Sequence, residues 1–417
     1  MEFTVRRNSL LQALQHCRLA INKNNAQPAF EDFVLTFRND CQLVLTVHTS
    51  NGEIFMKEDV VLDGLTGDMR PISIYYLDLL RAIKALDDQP LRFDIGEMQM
   101  TVYHEIGSFR LPLNNRCNEF LSWKAPSPDT DAKDCHSMSY EAPVLASILN
   151  RCSYAMAQDE LRPVMNGVYF SLTANYADYV TSDGHCLVRV RKQPMKDDLT
   201  KNTVVTSLII PSRIVSILQR VLPKTGDVDI DYQEKLEKEE TKKIDDGNGK
   251  IITRHTDKSR KSQCCITIDF NLEIAFNPID GRYPNYLAVL PQHNQYEMLI
   301  DRRKLTKSLD RLALFANESN MLVRLTVSRD DVKLRTEDYD FAVEGEETLP
   351  CESNINDSCP LKIGMKATSL SKTLKTMSTE KVAIRLEDSS RPVILNPVPQ
   401  PDNEELTYLL MPMFCND

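Results

Sequence analysis

A chain of 417 residues, 42% hydrophobic and 26% charged, is long enough for two or three ordinary domains and has the make-up of a soluble globular protein. No apolar run approaches the roughly 20 residues that a membrane-spanning helix needs, and the start, Met1 to Arg7, reads as a strand rather than an export signal. A net charge of −10 disfavours nucleic acid as a partner when taken globally, and eleven cysteines without CxxC pairs predict reduced thiols in a cytoplasm, with no metal or cofactor.

Two patterns recur along the chain. The first, a short alternating run followed by leucines at helical spacing, occupies 3–20, 137–155 and 298–316. In the last of these, Leu305, Leu309 and Leu312 fall on one helix face. The second pattern is strand, helix, turn, strand, at 70–95, 208–232 and 361–386. Within it Ile214, Ile217, Leu218 and Val221 form an apolar stripe. The same order repeated three times predicts an α+β fold of three homologous domains, each with two helices. Segments 125–134 (APSPDTDAKD) and 291–295 (PQHNQ) read as linkers, so the domains are 1–125, 136–291 and 297–417. The charged stretch 233–263 has no counterpart in the other two domains. It reads as a solvated extended hairpin or partly disordered loop, or as an added contact surface for DNA or a partner.

The second domain contains RPVMNGVYFSLTANYADYVTSDGHCLVRVR, residues 162–191. Strands are expected at Gly167–Leu172, Asp178–Thr181 and Cys186–Val190, with a tight turn at Ser182-Asp183-Gly184-His185. That turn is the one compact polar cluster. A hydrolase would use His185 as a base oriented by Asp183, but no nucleophile or ligand set accompanies them, and such residues usually satisfy their own backbone.

Charge is segregated. The predicted helices are 9–18, 75–86 (Arg81, Lys84), 142–153 (Arg151), 212–224 (Arg213, Arg220, Lys224), 302–316 (Lys304, Lys307, Arg311) and 366–377 (Lys372, Lys375). Together they hold fifteen basic residues against two acidic ones, a balance of +13 that leaves −23 for the remainder. The basic positions keep helical register off the apolar stripes. A helix-lined basic surface suits a phosphate backbone, contacted without reading sequence.

Taken with these features, RPVMNGVYF (162–170), SDGHCLVRV (182–190), IDGRYPNYLAVLP (279–291) and the tail YLLMPM (408–413) make the chain resemble the bacterial DNA sliding clamps, the beta subunits of DNA polymerase III. The resemblance spans essentially the whole chain. It implies three repeated clamp domains, two helices each packed on antiparallel sheets, in a head-to-tail homodimeric ring with helices lining the hole. It implies a non-catalytic processivity factor that encircles double-stranded DNA, binds no membrane, and tethers the polymerase III catalytic subunit, the clamp loader and other proteins carrying clamp-binding motifs.

The family's partner-peptide groove carries over to Met165, Ser182, Gly184, His185, Leu187 and Pro284. Its other wall would be Val289 with Leu409, Leu410, Met411, Pro412 and Met413. Apolar anchors with adaptable methionines suit several partners. Lys23 lies in a loop, 20–27, that matches one touching DNA, Arg162 lies next to another, and Phe109, Leu111, Leu314 and Phe315 match the ring interface. The chain departs from the pattern where the family commonly has Arg (Cys186 and Ala288) and an aromatic (Ser369), and in the 233–263 insertion. These departures motivate an alternative, a clamp-like interaction scaffold of a mobile element.

Overall fold

The computed structural model describes residues 1–22, 27–38, 41–48, 54–114, 116–117, 119, 127–130, 132, 134–193, 206–235, 239–245, 251–257, 261–291 and 293–414. They fall into two compact units, Met1–Leu145 with Ile217–Asp280 and Ala146–Ser216 with Gly281–Asp417.

Six helices stand where the leucine spacing puts them: α1 (Arg7–Cys17), α2 (Tyr76–Lys84), α3 (Ala142–Cys152), α4 (Ser212–Val221), α5 (Arg302–Leu312) and α6 (Ala367–Thr376). Helix α5 shows why. The Asp301 carboxylate accepts from the Lys304 backbone N–H at 2.8 Å and caps the start. Leu305, Leu309 and Leu312 are buried, while Lys304, Lys307 and Arg311 point outward. The helix was expected to run to residue 316. It ends at Leu312, because Ala313–Phe315 tighten into a 3-10 turn.

One topology recurs three times. The strand before the first helix of each repeat pairs antiparallel with the strand after the second: Glu2–Arg6 with Pro90–Ile95, Cys135–Glu141 with Asp227–Gln233, and Tyr296–Asp301 with Lys381–Leu386. In the first unit, one sheet has five strands and the other eight. Phe3 stacks on Phe93 in its core at 4.7 Å between ring centroids. The second unit is built on a twelve-stranded sheet, within which Phe170 meets Tyr179 edge-on at 4.8 Å. The 233–263 segment includes an antiparallel pair, Glu239–Asp245 with Ile251–Asp257, a two-stranded sheet that falls in sequence between the paired strands Asp227–Gln233 and Gln263–Ile268. Residues 246–250, between these two strands, lie outside the described residues.

The first unit buries an acid. Asp32 is 1% exposed, accepting from the Asn114 side-chain amide at 2.8 Å with Arg116 at 3.6 Å. Burial pushes its carboxyl up to about 6, against the opposing pull of Asn114 and Arg116. Because the folded chain holds this proton more tightly than the unfolded one, the contribution to stability is fully present below the unfolded value. It is lost as pH rises through about 4 to 6. Asp32→Asn is therefore expected to stabilise this unit at pH 7 by about 1–2 kcal/mol and to flatten its pH profile over that window, read by chemical denaturation at each pH.

Candidate functional site: a two-chambered groove beside the C-terminal strand

The meander around the turn forms as expected, with strands Gly167–Leu172, Ala177–Ser182 and Cys186–Lys192. Asp183 Oδ1 accepts from the N–H groups of His185 and Cys186 at 2.8 and 2.6 Å. The Ser182 hydroxyl donates to the Cys186 carbonyl at 2.8 Å and accepts from Gly184 N–H at 3.1 Å. The carboxylate that a hydrolase would need is thus spent on its own turn. Gly184 sits at φ +91°, and a Cβ there would meet the Arg162 guanidinium at 3.3 Å. Arg162 pairs with Asp159 at 2.9 Å and lies against the turn.

The C-terminal strand Glu404–Leu410 forms the opposite wall. It pairs with Cys186–Lys192 on one side, Leu187 facing Leu409, and with Val393–Val398 on the other. Beyond it, Met411 N–H donates to the His185 carbonyl and Met413 N–H to the Gly364 carbonyl, both at 2.8 Å. These two bonds fix the tail across the mouth of the groove.

A third wall is the loop 281–290. Gly281, at φ +136°, packs so closely on Val164 that a Cβ would lie 2.7 Å from its methyl. Tyr283 stacks on Tyr169 with centroids 4.6 Å apart. The Tyr286 hydroxyl donates at 2.7 Å to Asp178, a fully buried carboxylate that also takes two 2.7 Å bonds from Arg191. Burial and this bond push the Tyr286 hydroxyl well above its ordinary value, and the Asp178 partnership raises Arg191. Pro284 and Val289 are therefore presented by a loop anchored to a buried charge pair.

Two cavities result. The first, about 280 Å³, is apolar: Met165, Leu187, Tyr283, Pro284, Val289 and Leu409 line it, with Arg162 and the turn at its rim. The second, about 470 Å³, is bounded by Cys186, Met365, Lys366, Ser369, Leu410 and Pro412, with Ser319, Asn320, Met413 and Phe414 beside them. His185, Cys186 and Met411 border both. Volumes of this order suit side chains of a bound segment. Of the expected groove residues, Met165, Ser182, Gly184, Leu187, Pro284, Val289 and Leu409 meet at the first chamber, while Leu410, Pro412 and Met413 line the second. Tyr283 and Tyr286 went unnoticed in the sequence, although both flank Pro284 in the quoted motif. The second chamber draws on four separated segments and left no local signal. Two departures from the family pattern touch there: the Cys186 thiol, pushed up to about 11 by burial and by Asp183, hydrogen-bonds Ser369.

The basic helix positions divide. Arg151 on α3 pairs with Glu404, whose carboxyl is raised by burial but held below the ordinary value by Lys192 and Arg151. Arg311 makes a two-pronged pair with Glu347, and Lys375 pairs with Asp310 at 2.9 Å. Arg213 is partly buried. Arg81, Lys84, Arg220, Lys224, Lys304, Lys307 and Lys372 are exposed and make no ion pair among the described residues. Lys23 lies outside the described residues. Phe109 and Leu111 are half-exposed on Gly107–Pro112, the last strand of the five-stranded sheet. Leu314 and Phe315 are 79% and 42% exposed after α5. No helix among the described residues is long and apolar enough to cross a membrane, and the described cysteines form no disulfide.

Comparison with known proteins agrees with this architecture. The family models for the central and C-terminal domains of the DNA polymerase III beta subunit match residues 140–285 and 287–414. The beta sliding clamp of Pseudomonas aeruginosa is 24% identical over 415 residues, 99% of this chain and 100% of that one. That of Synechococcus elongatus is 24% identical over 278 residues, 66% of this chain and 65% of that one. A crystal structure of the Pseudomonas aeruginosa clamp bound to griselimycin superposes with a TM-score of 0.81 at 23% identity, covering both chains completely. The beta subunit from Thermotoga maritima superposes with a TM-score of 0.80 at 17% identity, again over both whole chains. The repeated topology, the groove beside the tail and these matches together establish that the chain belongs to the family of bacterial sliding clamps, the beta subunits of DNA polymerase III.

Proposed function

We propose that two copies of the chain close head to tail into a ring around duplex DNA. The ring slides without sequence preference in the cytoplasm and tethers the polymerase III catalytic subunit, the clamp loader and other proteins through short linear motifs. The chain divides into clamp domains 1–125, 136–291 and 297–417, and its partners dock in the chamber lined by Leu187, Val289 and Met411. It acts without catalysis.

The observation that carries the ring is a pair of unsatisfied sheet edges. Among the described residues, Gly107–Pro112 pairs only with Gln99–His104, and residues 343–350 pair only with Asp331–Asp338. Exposed edges invite pairing with another chain. One edge carries Phe109, Arg110 and Leu111; the other is acidic, with Glu344 and Glu346, and Phe315 packs against its Gly345. Each edge of one copy meets the complementary edge of the other, which makes a closed ring of two.

Retention then comes from enclosure, so the DNA contacts need only centre the duplex. Ion pairs within the chain already hold Arg151, Arg311 and Lys375. The remaining exposed cations, among them Lys304, Lys307, Lys372 and Arg220, supply a dispersed attraction that salt weakens. Sedimentation equilibrium at micromolar concentration tests the assembly. The expected mass is twice the 47.6 kDa chain; a monomer under those conditions overturns the ring.

A further inference from the structure

The two junctions between repeats within the chain follow one rule. Each repeat has one antiparallel meander between its helices and a second after them. Ile54–Val61, which ends the first repeat's first meander, pairs with Leu272–Phe276, the last strand of the second repeat. Cys186–Lys192, which ends the second repeat's first meander, pairs with Glu404–Leu410, the last strand of the third. The rule leaves one strand of each kind over. They are Val343–Ser353 of the third repeat and Gly107–Pro112 of the first, the two open edges.

Register repeats as well as order. Phe3, Met138 and Met298 each stand four residues before the first helix of their repeat. Followed across the paired strands, these positions lead to Phe109, Ile274 and Tyr408, which are therefore equivalent. Ile72, Leu208 and Ile363 stand four residues before the second helix, and the same path leads to Glu58, Val190 and Glu347. Two positions earlier, Met56, Val188 and Gly345 correspond. Ile274 lies opposite Met56 and Tyr408 opposite Val188, and all four are fully buried.

Phe109 and Gly345 are the uncovered third pair. Phe109 is half-exposed, and at Gly345 a Cβ would meet Leu312 at 2.9 Å and Phe315 at 3.1 Å, so those side chains fill the place that Met56 and Val188 fill for themselves. A large ring opposite a residue without a side chain is complementary in volume. The in-chain junctions also carry cross-strand ion pairs, Lys57 opposite Glu273 at 2.6 Å and Arg189 with Glu405. Arg110, next to Phe109, is exposed and makes no ion pair among the described residues. Resting on the ring reading above, we infer that the junction between copies keeps the register of the two junctions within the chain. Phe109 then lies opposite Gly345 of the partner subunit, Arg110 opposite Glu344 of the partner subunit, and Ser108 opposite Glu346 of the partner subunit. A slip of one residue would turn Phe109 and Leu111 to solvent, so burial and charge specify the same register.

The test uses the full chain and disulfide trapping. Directly opposite residues bring their Cα atoms to about 4.5–5.5 Å, within disulfide reach, whereas a pair displaced by two positions stands at about 7 Å or more. Three double variants are compared: Ser108→Cys with Glu346→Cys, and the displaced pairs Ser108→Cys with Glu344→Cys and Ser108→Cys with Thr348→Cys. All four positions are exposed, so the fold tolerates them. Each is oxidised beside the parent chain, which controls for the native cysteines, and covalent dimer is read on a non-reducing gel after sedimentation of the reduced protein. The 108–346 pair is expected to give at least about tenfold more covalent dimer than either displaced pair or the parent. A non-covalent dimer in which a displaced pair traps best, or in which none of the three traps, overturns the register and leaves the ring reading standing. A monomer in sedimentation, for the parent as for the variants, overturns the ring reading and the register with it.

Discussion

Replacing Leu314 and Phe315 together by glutamate is expected to convert the dimer into a monomer of unchanged fold. Leu314 is 79% and Phe315 42% exposed in the isolated chain, so the internal packing lost is mainly that of Phe315 against Gly345. If the second copy covers them, each contributes about 1.5–3 kcal/mol of apolar burial. Losing both removes about 3–6 kcal/mol per interface, a factor of roughly a hundred to ten thousand in association. Two carboxylates placed beside Glu344 and Glu346 add repulsion. Sedimentation should show the single-chain mass, with a thermal midpoint within a few degrees of the parent. A persistent dimer would place the interface elsewhere.

Arg191→Met is expected to destabilise the second unit by about 3–5 kcal/mol, the range for removing one partner of a buried ion pair. Asp178 is fully buried and takes two 2.7 Å bonds from Arg191. Without them a desolvated carboxylate keeps only the Tyr286 hydroxyl among these partners. The effect should appear as an earlier transition in denaturant, because a chain with two compact units need not unfold in one step. Arg191→Met combined with Asp178→Asn should recover much of the loss, since no unpaired charge is then left. The single variant should also bind Leu-Phe peptides more weakly, because Tyr286 and Pro284 share the loop that the pair anchors. A transition unmoved by the single variant would mean that the pair is not a fixture of this wall.

Much of the fold was legible because its signals are local. Leucine spacing located α5, and Asp301 at its start is a recognisable cap. The three-fold repeat could be read from element order alone, and the antiparallel pairings then recur three times in the structure. Charge was legible only as a total. Register placed Arg151 on a basic face, yet its partner Glu404 lies 253 positions away, and no local pattern announces that. The contact of Arg162 with Gly184 at the groove rim likewise had no local signal.

The site was half legible. The first chamber is built from contiguous motifs, 162–170, 182–190, 279–291 and the tail, so its members could be named. The second draws His185 and Cys186, Ser319 and Asn320, Met365 to Ser369, and the residues after Leu410 to one place. Bonds between positions distant in the chain bring them together: Met411 to His185, Met413 to Gly364, and Leu322 paired with Lys366. For the same reason Cys186 and Ser369 looked like two unrelated departures in the sequence, although the side chains touch.

The central claim is enclosure, and topology tests it without reference to affinity. The chain, labelled and loaded by a clamp loader onto nicked circular duplex, is passed through a sizing column at salt high enough to screen surface cations. The account predicts that it stays with the circle through that wash and leaves once a restriction enzyme linearises the DNA. Loss from the intact circle at high salt, or equal retention on linear and circular duplex, would contradict it.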